Sequence, residues 1–388
     1  MDYSKLSRAL EPSATLQLTA KAGELKRQGR DIVSLSAGQP DFPTPRAAVE
    51  AARTAMEKGH TGYTPTPGIP ELREAVALAT GRRRGMKFGP SNVLVSCGAK
   101  HALANLLLAA VDPGDKVLIQ RPYWVSYPEM VKLAGGIPVC AAGEAPLLSG
   151  DDILAAARDG AKGVILNSPS NPTGLVYPAD RMREVAEAIL GAGMWVISDD
   201  IYEDLVYLEG GAPHVLDSVP DLAARTAIVS GVSKTYSMTG WRIGWGVAPD
   251  GWTRMAGRIQ EHMTSNATSI AQWASLAVVA GGAEEERLSM HSSFMRRRDM
   301  ICEILRGTSA LDFRRPEGAF YVFPSIRGLD GTSARFCEEL LEAEGLAIIP
   351  GSAFGAEGFV RLSFAASDGD IKEGVRRLQR FIGRGVPG

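Results

Sequence analysis

The 388-residue chain has few cysteines and almost no net charge. Its four cysteines are Cys97, Cys140, Cys302 and Cys337, which lie far apart and form no Cys-x-x-Cys pair. This spacing argues against a disulfide framework and indicates a reducing compartment. Lys and Arg total 42, against 44 for Asp and Glu. Such a balance gives no long-range field that would attract nucleic acid or an anionic membrane, so neither is expected as a partner.

The sequence also lacks a long apolar run and a leader-like N-terminus. Its most apolar stretch, residues 269–283, is shorter than a membrane span and contains Gln272 and Trp273. The first residues, MDYSKLSRALEPS, have no apolar segment typical of a secretory signal. We therefore expect a soluble, cytoplasmic protein.

Several common catalytic motifs are missing. The chain has no GxxxxGK[ST], GxSxG or HExxH motif, and its five histidines show no ligand spacing, so no metal site is predicted. Two arginine runs, 82–84 and 296–298, are local features that we interpret as solvated helix faces rather than binding patches.

Short β-branched runs alternate with amphipathic stretches from about residue 92. Strands are predicted at 93–96, 116–120, 137–141, 163–167, 194–200, 226–230 and 242–248. Continuous apolar strands separated by helices are typical of an α/β fold with a parallel sheet covered on both faces. After residue 250 the pattern predicts helices near 250–280 and 284–307, strands at 320–323, 346–350 and 359–364, and a closing helix at 370–382, which indicates a smaller α+β unit.

Open α/β sheets carry their sites at the carboxyl ends of the strands. In SCGAKHAL, residues 96–103, a glycine separates a strand end from a helix start. Free N–H groups of Gly98, Ala99 and Lys100 would form an anion site there. The alternative is an ordinary strand-to-helix turn.

Three further strand ends carry distinctive side chains. Trp124 follows the strand at 116–120 and could stack on a planar ligand or close the core. Asn171 lies in a proline-rich loop, 167–174, that would hold its amide rigidly. Asp199 and Asp200 end an apolar strand, and a buried carboxylate needs a partner such as an arginine, a helix N-terminus or a cationic ring nitrogen.

Lys234 lies just beyond the strand at 226–230, and Arg242 follows eight positions later. A desolvated lysine beside another cation has a lowered pKa and becomes a nucleophile for carbonyls, although a lone lysine is more often on the surface. Taken together, the strand-end residues predict one planar ligand with an aldehyde, a phosphate, a phenol-type oxygen and a basic ring nitrogen. Pyridoxal phosphate has all of these parts.

With these residues in place, the chain resembles the class I (aspartate-type) aminotransferases of fold type I, and in particular the bacterial aspartate aminotransferases. The segments SLSAGQPDF, GYTPTPGIPELREA, NSPSNPTG, SDDIYE and SKTYSMTGWRIGW carry the resemblance, which covers nearly the whole chain. It implies pyridoxal phosphate as cofactor and a large domain, 40–285, with a mostly parallel seven-stranded sheet. It further implies a small domain formed by 1–39 and 286–388, and a homodimer.

The resemblance also implies roles for individual residues on the cofactor ring. Lys234 would bond covalently to the cofactor and later transfer protons, while Asp199 would pair with the ring nitrogen. Asn171 and Tyr202 would bond the phenolic oxygen, and Trp124 would stack on the ring face.

The same resemblance implies contacts for the phosphate and the substrate. The phosphate would lie on residues 98–100, with Arg242 beside it and Tyr63 reaching in from the neighbouring subunit. Arg361 would clamp the substrate α-carboxylate, with the backbone of Gly38 nearby.

This chain departs from the family pattern three residues before Lys234. Many relatives have a phosphate-binding serine there, and this chain has Gly231, which leaves Ser230 and Ser233 as candidate hydroxyls. Asp200, where the family often has glutamate, is expected to face away from the ring.

The resemblance implies ping-pong transfer of an amino group from an L-amino acid to a 2-oxo acid such as 2-oxoglutarate. Lys100 matches a lysine that contacts the second carboxylate in the bacterial branch, so aspartate and glutamate are favoured. Aromatic, kynurenine-type or prephenate substrates, and a β-lyase reaction on the same scaffold, remain alternatives.

Overall fold

The computed structural model describes residues 2–142, 145–329 and 331–384. Its strands in chain order are β1 (Val33–Ser34), β2 (Val93–Ser96), β3 (Lys116–Ile119), β4 (Ile137–Cys140), β5 (Ala161–Asn167), β6 (Trp195–Asp199), β7 (Thr226–Gly231), β8 (Gly244–Val247), β9 (Tyr321–Val322), β10 (Leu346–Ala347), β11 (Ile349–Pro350) and β12 (Val360–Ser363).

The helices begin with α1 (Lys5–Ala9), α2 (Ala14–Arg27), α3 (Arg46–Glu57), α4 (Pro70–Arg84), α5 (Ala99–Ala110), α6 (Ser126–Leu133), α7 (Gly150–Arg158) and α8 (Ala179–Ala192). They continue with α9 (Val215–Ser218), α10 (Val232–Thr235), α11 (Asp250–Met263), α12 (Ser269–Ala277), α13 (Glu284–Arg306), α14 (Ser333–Glu344) and α15 (Asp368–Gly383). Within these described ranges, no helix is both long and apolar enough to cross a bilayer.

The central sheet has seven strands in the order β2-β8-β7-β6-β5-β3-β4. Strands β3 to β7 pair in parallel, whereas β8 runs antiparallel to both of its neighbours. The predicted α/β fold with a mostly parallel seven-stranded sheet is confirmed. Because β8 is reversed, its first residue, Gly244, pairs with the last residues of β2 and β7, Ser96 and Gly231. The loop before β8, which carries Arg242, therefore reaches the carboxyl edge of the sheet.

Both faces of this sheet are buried. In β3, Leu118 packs into one apolar cluster, while Val117 and Ile119 pack into another on the opposite face. This alternation follows from the two-residue period of a strand. Helices cover both clusters, so the sheet is a rigid support for the loops at its carboxyl edge.

The C-terminal region forms a smaller three-stranded antiparallel sheet in the order β11-β12-β9. The N-terminal strand β1 pairs in parallel with β10 through Val33 and Leu346, so the start of the chain packs with its end. Tyr202 and Tyr321 share a further apolar cluster that joins this region to the loop after β6. The exact division at residues 39/40 and 285/286 stays a prediction.

The expectation of one helical stretch over 250–280 is wrong in its middle. Helix α11 ends at Met263 and α12 begins at Ser269. Between them Ser265 has a φ of +60°, in the left-handed region, which a continuing right-handed helix does not allow. The break redirects α12 toward the loop at residues 62–69.

The expectation that both arginine runs are solvated is wrong for Arg84, Arg297 and Arg298. The Arg84 side chain is only 6% exposed and donates to Asp200 at 2.9 Å. Arg297 and Arg298 are buried, and Arg297 donates to Asp41 at 2.7 Å. Successive side chains of a helix point about 100° apart, so three consecutive arginines do not all face solvent.

We expect Arg84→Met to lower the free energy of unfolding by about 3–5 kcal/mol, because it leaves a buried carboxylate of Asp200 unpaired. Arg82→Met is the matched control, since Arg82 is an exposed residue of the same run. Its effect should stay within about 0.5 kcal/mol. Denaturant unfolding of both variants measures the difference, and equal losses would contradict a buried ion pair at Arg84.

Candidate active site

A cavity of about 510 Å³ opens at the carboxyl edge of the central sheet. Most of the residues that the sequence singled out line it: Gly38, Ala99, Lys100, Trp124, Asn171, Asp199, Tyr202, Lys234, Arg242 and Arg361. Gly98 lies directly behind the guanidinium of Arg242. Tyr63 is different, because its side chain is 93% exposed at the surface of the subunit.

Lys234 lies in the single turn of α10, directly after β7. Its Nζ donates a hydrogen bond to the carbonyl oxygen of Gly38 at 2.5 Å. Burial, followed by the positive charges of Arg361 and Arg242, lowers the pKa of Lys234 to about 8. The side chain is therefore a half-buried, desolvated amine rather than a solvated surface lysine.

Asp199 ends β6 and points into the same cavity. Its carboxylate accepts hydrogen bonds from the hydroxyl of Tyr127 at 2.6 Å and from the backbone N–H of Ile201 at 3.2 Å. Burial nevertheless raises the pKa of Asp199 to about 6. Sequence reasoning missed Tyr127; its position three residues after Trp124, at the start of α6, was the available signal.

Asp200 turns away from this cavity, as expected. Its carboxylate accepts from the hydroxyl of Ser198 at 2.6 Å and from Arg84, and the Nε2 of His214 lies 3.3 Å away. The Nδ1 of His214 accepts from the N–H of Leu216, which leaves the ring hydrogen on Nε2, facing Asp200. Adjacent carboxylates on one strand end thus have different surroundings.

The start of α5 has fewer free N–H groups than the sequence predicted. The N–H of Gly98 is not free, because it donates to the carbonyl of Ser96 at 2.7 Å in a tight turn. In the described chain, the N–H groups of Ala99 and Lys100 have no protein acceptor. Gly98 has a φ of +89°, and a Cβ there would lie 2.5 Å from the Arg242 guanidinium. Glycine is required for that close approach.

The departure at Gly231 has a steric explanation. A Cβ at this position would lie 2.8 Å from the Cα of Gly244 and 2.9 Å from the carbonyl oxygen of Ile243. A serine would therefore force β7 and β8 apart. Of the two candidate hydroxyls, Ser230 donates to Glu203 at 3.0 Å, whereas Ser233 lines the cavity.

Arg361, on β12, is a buried cation facing the cavity. Its Nη1 donates to the Oδ1 of Asn171 at 2.9 Å, and its Nη2 donates to the carbonyl of Ser36 at 2.8 Å. Its guanidinium also lies 4.4 Å from the ring centre of Tyr321. The buried Nε has no acceptor within the described residues. The guanidinium brings its positive charge to the cavity, where it suits an anionic ligand.

Two tyrosines and an asparagine complete the wall near Arg361. The hydroxyls of Tyr202 and Tyr321 share a hydrogen bond of 2.8 Å. The Asn167 side chain accepts from the N–H of Asn171 and donates to the carbonyl of Asp199, which ties two strand-end loops together. Sequence reasoning did not assign Tyr321 or Asn167 to the site, because their roles depend on contacts across the fold.

Lys100 and Trp124 both line the cavity and contact each other. The Nζ of Lys100 lies 4.8 Å from the ring centre of Trp124. Burial and then the charge of Arg242 lower the pKa of Lys100. Thr15, Leu16 and other residues at the start of α2 also line the cavity, which the sequence pattern did not indicate.

Comparison with known proteins identifies the family to which a chain with this geometry belongs. The family model "Aminotransferase class I and II" matches residues 30–378. The chain is 43% identical over 392 residues to an aspartate aminotransferase of Geobacillus stearothermophilus, covering 98% of this chain and 99% of the relative. It is 39% identical to a probable aspartate/prephenate aminotransferase of Aquifex aeolicus, covering 96% of each chain.

Solved structures give the same result. The aspartate aminotransferase of Thermus thermophilus with maleate superposes with a TM-score of 0.93 at 38% identity, covering 98% of this chain and 99% of that one. The aspartate aminotransferase of Rhizobium meliloti superposes with a TM-score of 0.94 at 36% identity, covering 99% of each chain. The chain belongs to the class I and II aminotransferases.

Proposed function

We propose that this aminotransferase uses pyridoxal phosphate to move the amino group of an L-amino acid, with aspartate and glutamate favoured, to a 2-oxo acid such as 2-oxoglutarate. The observation that carries the proposal is the position of Lys234, half-buried in the cavity with Asp199, Arg242 and Arg361. Its pKa of about 8 leaves neutral amine available near physiological pH. A neutral amine attacks carbonyl carbon and accepts protons. The aspartate aminotransferase names of the relatives from G. stearothermophilus and T. thermophilus support the choice of substrate.

The residues around the cavity fit the parts of this cofactor. Arg242 packs where a Cβ of residue 98 would lie, and the free N–H groups at the start of α5 add to its positive potential, which suits a phosphate. The buried Asp199 accepts hydrogen bonds from neutral groups, so it suits a protonated ring nitrogen. The Trp124 ring offers a flat surface at the cavity wall.

When bound, the cofactor supplies an aldehyde carbon for amine exchange and a ring that withdraws electrons from the substrate carbon. Lys234 would provide the amine, and its Nζ would accept and return a proton. Asp199 would hold the ring nitrogen in its protonated form, and Asn171 and Tyr202 would bond the ring oxygen. Positioned acid–base catalysis of this kind contributes about 10²–10⁴-fold to a rate.

Two cations would select a dicarboxylate substrate. Arg361 binds the α-carboxylate through its guanidinium, which lines the cavity. Lys100 contacts the second carboxylate, and its nearest described partner is the neutral ring of Trp124. Prephenate is the second candidate, because the A. aeolicus relative carries its name and because prephenate also has a second carboxylate.

We also infer a homodimer in which Tyr63 contacts the phosphate bound by the neighbouring subunit. The support is the position of Tyr63, which is almost fully exposed and outside the cavity of its own chain. An exposed tyrosine is an apolar body with a polar tip, which suits a subunit boundary.

We expect Asp199→Ala to lower kcat by about 100-fold or more, because the ring nitrogen loses its counterion. Asp200→Ala should leave kcat within about threefold but lower the unfolding midpoint, because it leaves Arg84 without its buried partner. Steady-state kinetics at saturating cofactor, paired with denaturant unfolding, separate the two effects. Equal losses of kcat would show that the wrong carboxylate was chosen.

The low pKa of Lys234 can be measured without cofactor. The acylation rate of Lys234, followed by peptide mass spectrometry, should rise with pH through a midpoint near 8 as the amine loses its proton. Arg361→Gln should move this midpoint up, because it removes a neighbouring cation, and Asp199→Asn should move it down, because it removes an anion. A midpoint near the ordinary lysine value of about 10.4 in the unchanged protein would contradict a buried amine.

We expect Lys100→Ala to raise KM for aspartate about tenfold or more, because a charge-assisted hydrogen bond to the second carboxylate is lost. KM for an amino acid without a second carboxylate, such as alanine, should change little. Lys132→Ala, at a half-buried lysine paired with Glu129, is the control. A similar change for both substrates would remove Lys100 as the selecting residue.

A further inference from the structure

The loop at residues 62–69, called here the Tyr63 loop, is exposed at one end and buried at the other. Tyr63 projects into solvent with 93% of its side chain exposed. Gly68 and Ile69, at the other end, are buried. A short loop with this contrast presents one side chain outward from a fixed base.

The base of the Tyr63 loop packs on the edge of the central sheet. The N–H of Val95 in β2 donates to the carbonyl of Pro67 at 2.9 Å, so the loop covers the open side of this edge strand. Gly68 has a φ of +108°, and a Cβ there would lie 2.7 Å from the Val95 side chain. The fully buried Gln260 of α11 donates to the carbonyl of Thr66 at 2.8 Å.

The buried side chain of Gln272 forms hydrogen bonds to two residues of the Tyr63 loop, Thr64 and Ile69. Its Oε1 accepts from the N–H of Ile69 at 2.8 Å, and its Nε2 donates to the hydroxyl of Thr64 at 3.0 Å and to the carbonyl of Ala267 at 2.8 Å. One amide thus bonds the residue next to Tyr63 and the last residue of the loop. An apolar side chain of the same size could make none of these bonds.

Neighbouring residues of α12 contact the same segment. The hydroxyl of Ser269 donates to the carbonyl of Gly62 at 2.6 Å. The ring of Trp273 lies 4.8 Å from that of His60, just before the loop. Ser269, Gln272 and Trp273 are spaced i, i+3 and i+4, so one face of the helix holds the segment on both sides of Tyr63.

We propose that Gln272 is a positioning residue for Tyr63, so that each subunit holds this tyrosine ready for the phosphate site of its partner. The inference rests on the proposed homodimer and phosphate contact. Ordering a mobile loop when the ligand binds would cost conformational entropy, and a loop that is already fixed avoids that cost. Loss of Gln272 should therefore weaken cofactor binding in the partner's site while leaving the site of its own chain intact.

Hybrid dimers of two differently tagged chains separate these two sites. Lys234→Ala in one chain leaves the other as the only chain that borohydride can label covalently with bound pyridoxal phosphate. Mass spectrometry of that chain, as a function of pyridoxal phosphate concentration, gives the half-saturating concentration at one site without measuring turnover. The second substitution is placed either on the Lys234→Ala chain or on the labelled chain.

We expect Gln272→Met on the Lys234→Ala chain to raise the half-saturating concentration about tenfold, the effect of one weakened charge-assisted hydrogen bond. On the labelled chain, the same substitution should have little effect, because the partner supplies an unchanged Tyr63. Ser275→Ala is the control, since its buried hydroxyl bonds only to its own helix at the carbonyl of Ala271 in the described contacts. If Gln272→Met prevents folding, Ser269→Ala makes the same comparison with an expected change of about threefold.

Tyr63→Phe in the same two arrangements tests the proposed function separately. If Tyr63→Phe has no effect from the partner chain, the composite phosphate site is wrong. Suppose that Tyr63→Phe weakens cofactor binding only when it is on the partner of the labelled chain. The positioning role of Gln272 is then overturned if Gln272→Met weakens binding on the labelled chain, on either chain, or on neither. The proposed dimer is not affected by that result. Matching effects of both substitutions, from the partner chain alone, support the inference.

Discussion

The site depends on one half-buried lysine amine that lies among other cations. Desolvation and the neighbouring positive charges both disfavour its protonated form. Lys234 has a lowered pKa because it is desolvated and faces Arg361 and Arg242. Its Nζ is held by the carbonyl of Gly38, while the carbonyl of Ser36 two residues earlier accepts from Arg361. One backbone segment, residues 36–38, therefore holds both Lys234 and Arg361. This contact brings the N-terminal part of the chain to the edge of the central sheet.

The two carboxylates at the end of β6 have different roles: Asp199 faces the cavity, and Asp200 forms a stabilising ion pair. Asp199 accepts from Tyr127 inside the cavity, and burial raises its pKa despite that hydrogen bond and the nearby charge of Lys234. Asp200 pairs with Arg84, which anchors the end of α4 to the loop after β6. A similar division holds for the serines near Lys234: Ser230 bonds Glu203, and Ser233 faces the cavity.

The strand ends of the large sheet, with Trp124, Asn171, Asp199 and Lys234, could be predicted because each follows an apolar run at a recognisable boundary.

Gly38, Tyr202 and Arg361 were expected only from the resemblance to a family. What could not be predicted depends on distant contacts. Tyr321 lies on a strand of the C-terminal region and reaches the site only when the two regions pack. The N–H of Gly98 closes a turn rather than facing a ligand, and the burial of Arg84 requires an acidic partner more than a hundred residues away. A local pattern carries no information about such partners.

The central claim is that Lys234 and a bound cofactor exchange an amino group with the substrate. The most direct test loads the purified protein with pyridoxal phosphate, removes the unbound cofactor, adds L-aspartate without a 2-oxo acid acceptor, and measures the products. The account predicts one oxaloacetate for each active site, no free ammonia, and no product from Lys234→Ala. Release of free ammonia, or of oxaloacetate well beyond one for each active site, would contradict transamination, and normal product from Lys234→Ala would contradict the assigned role of this lysine.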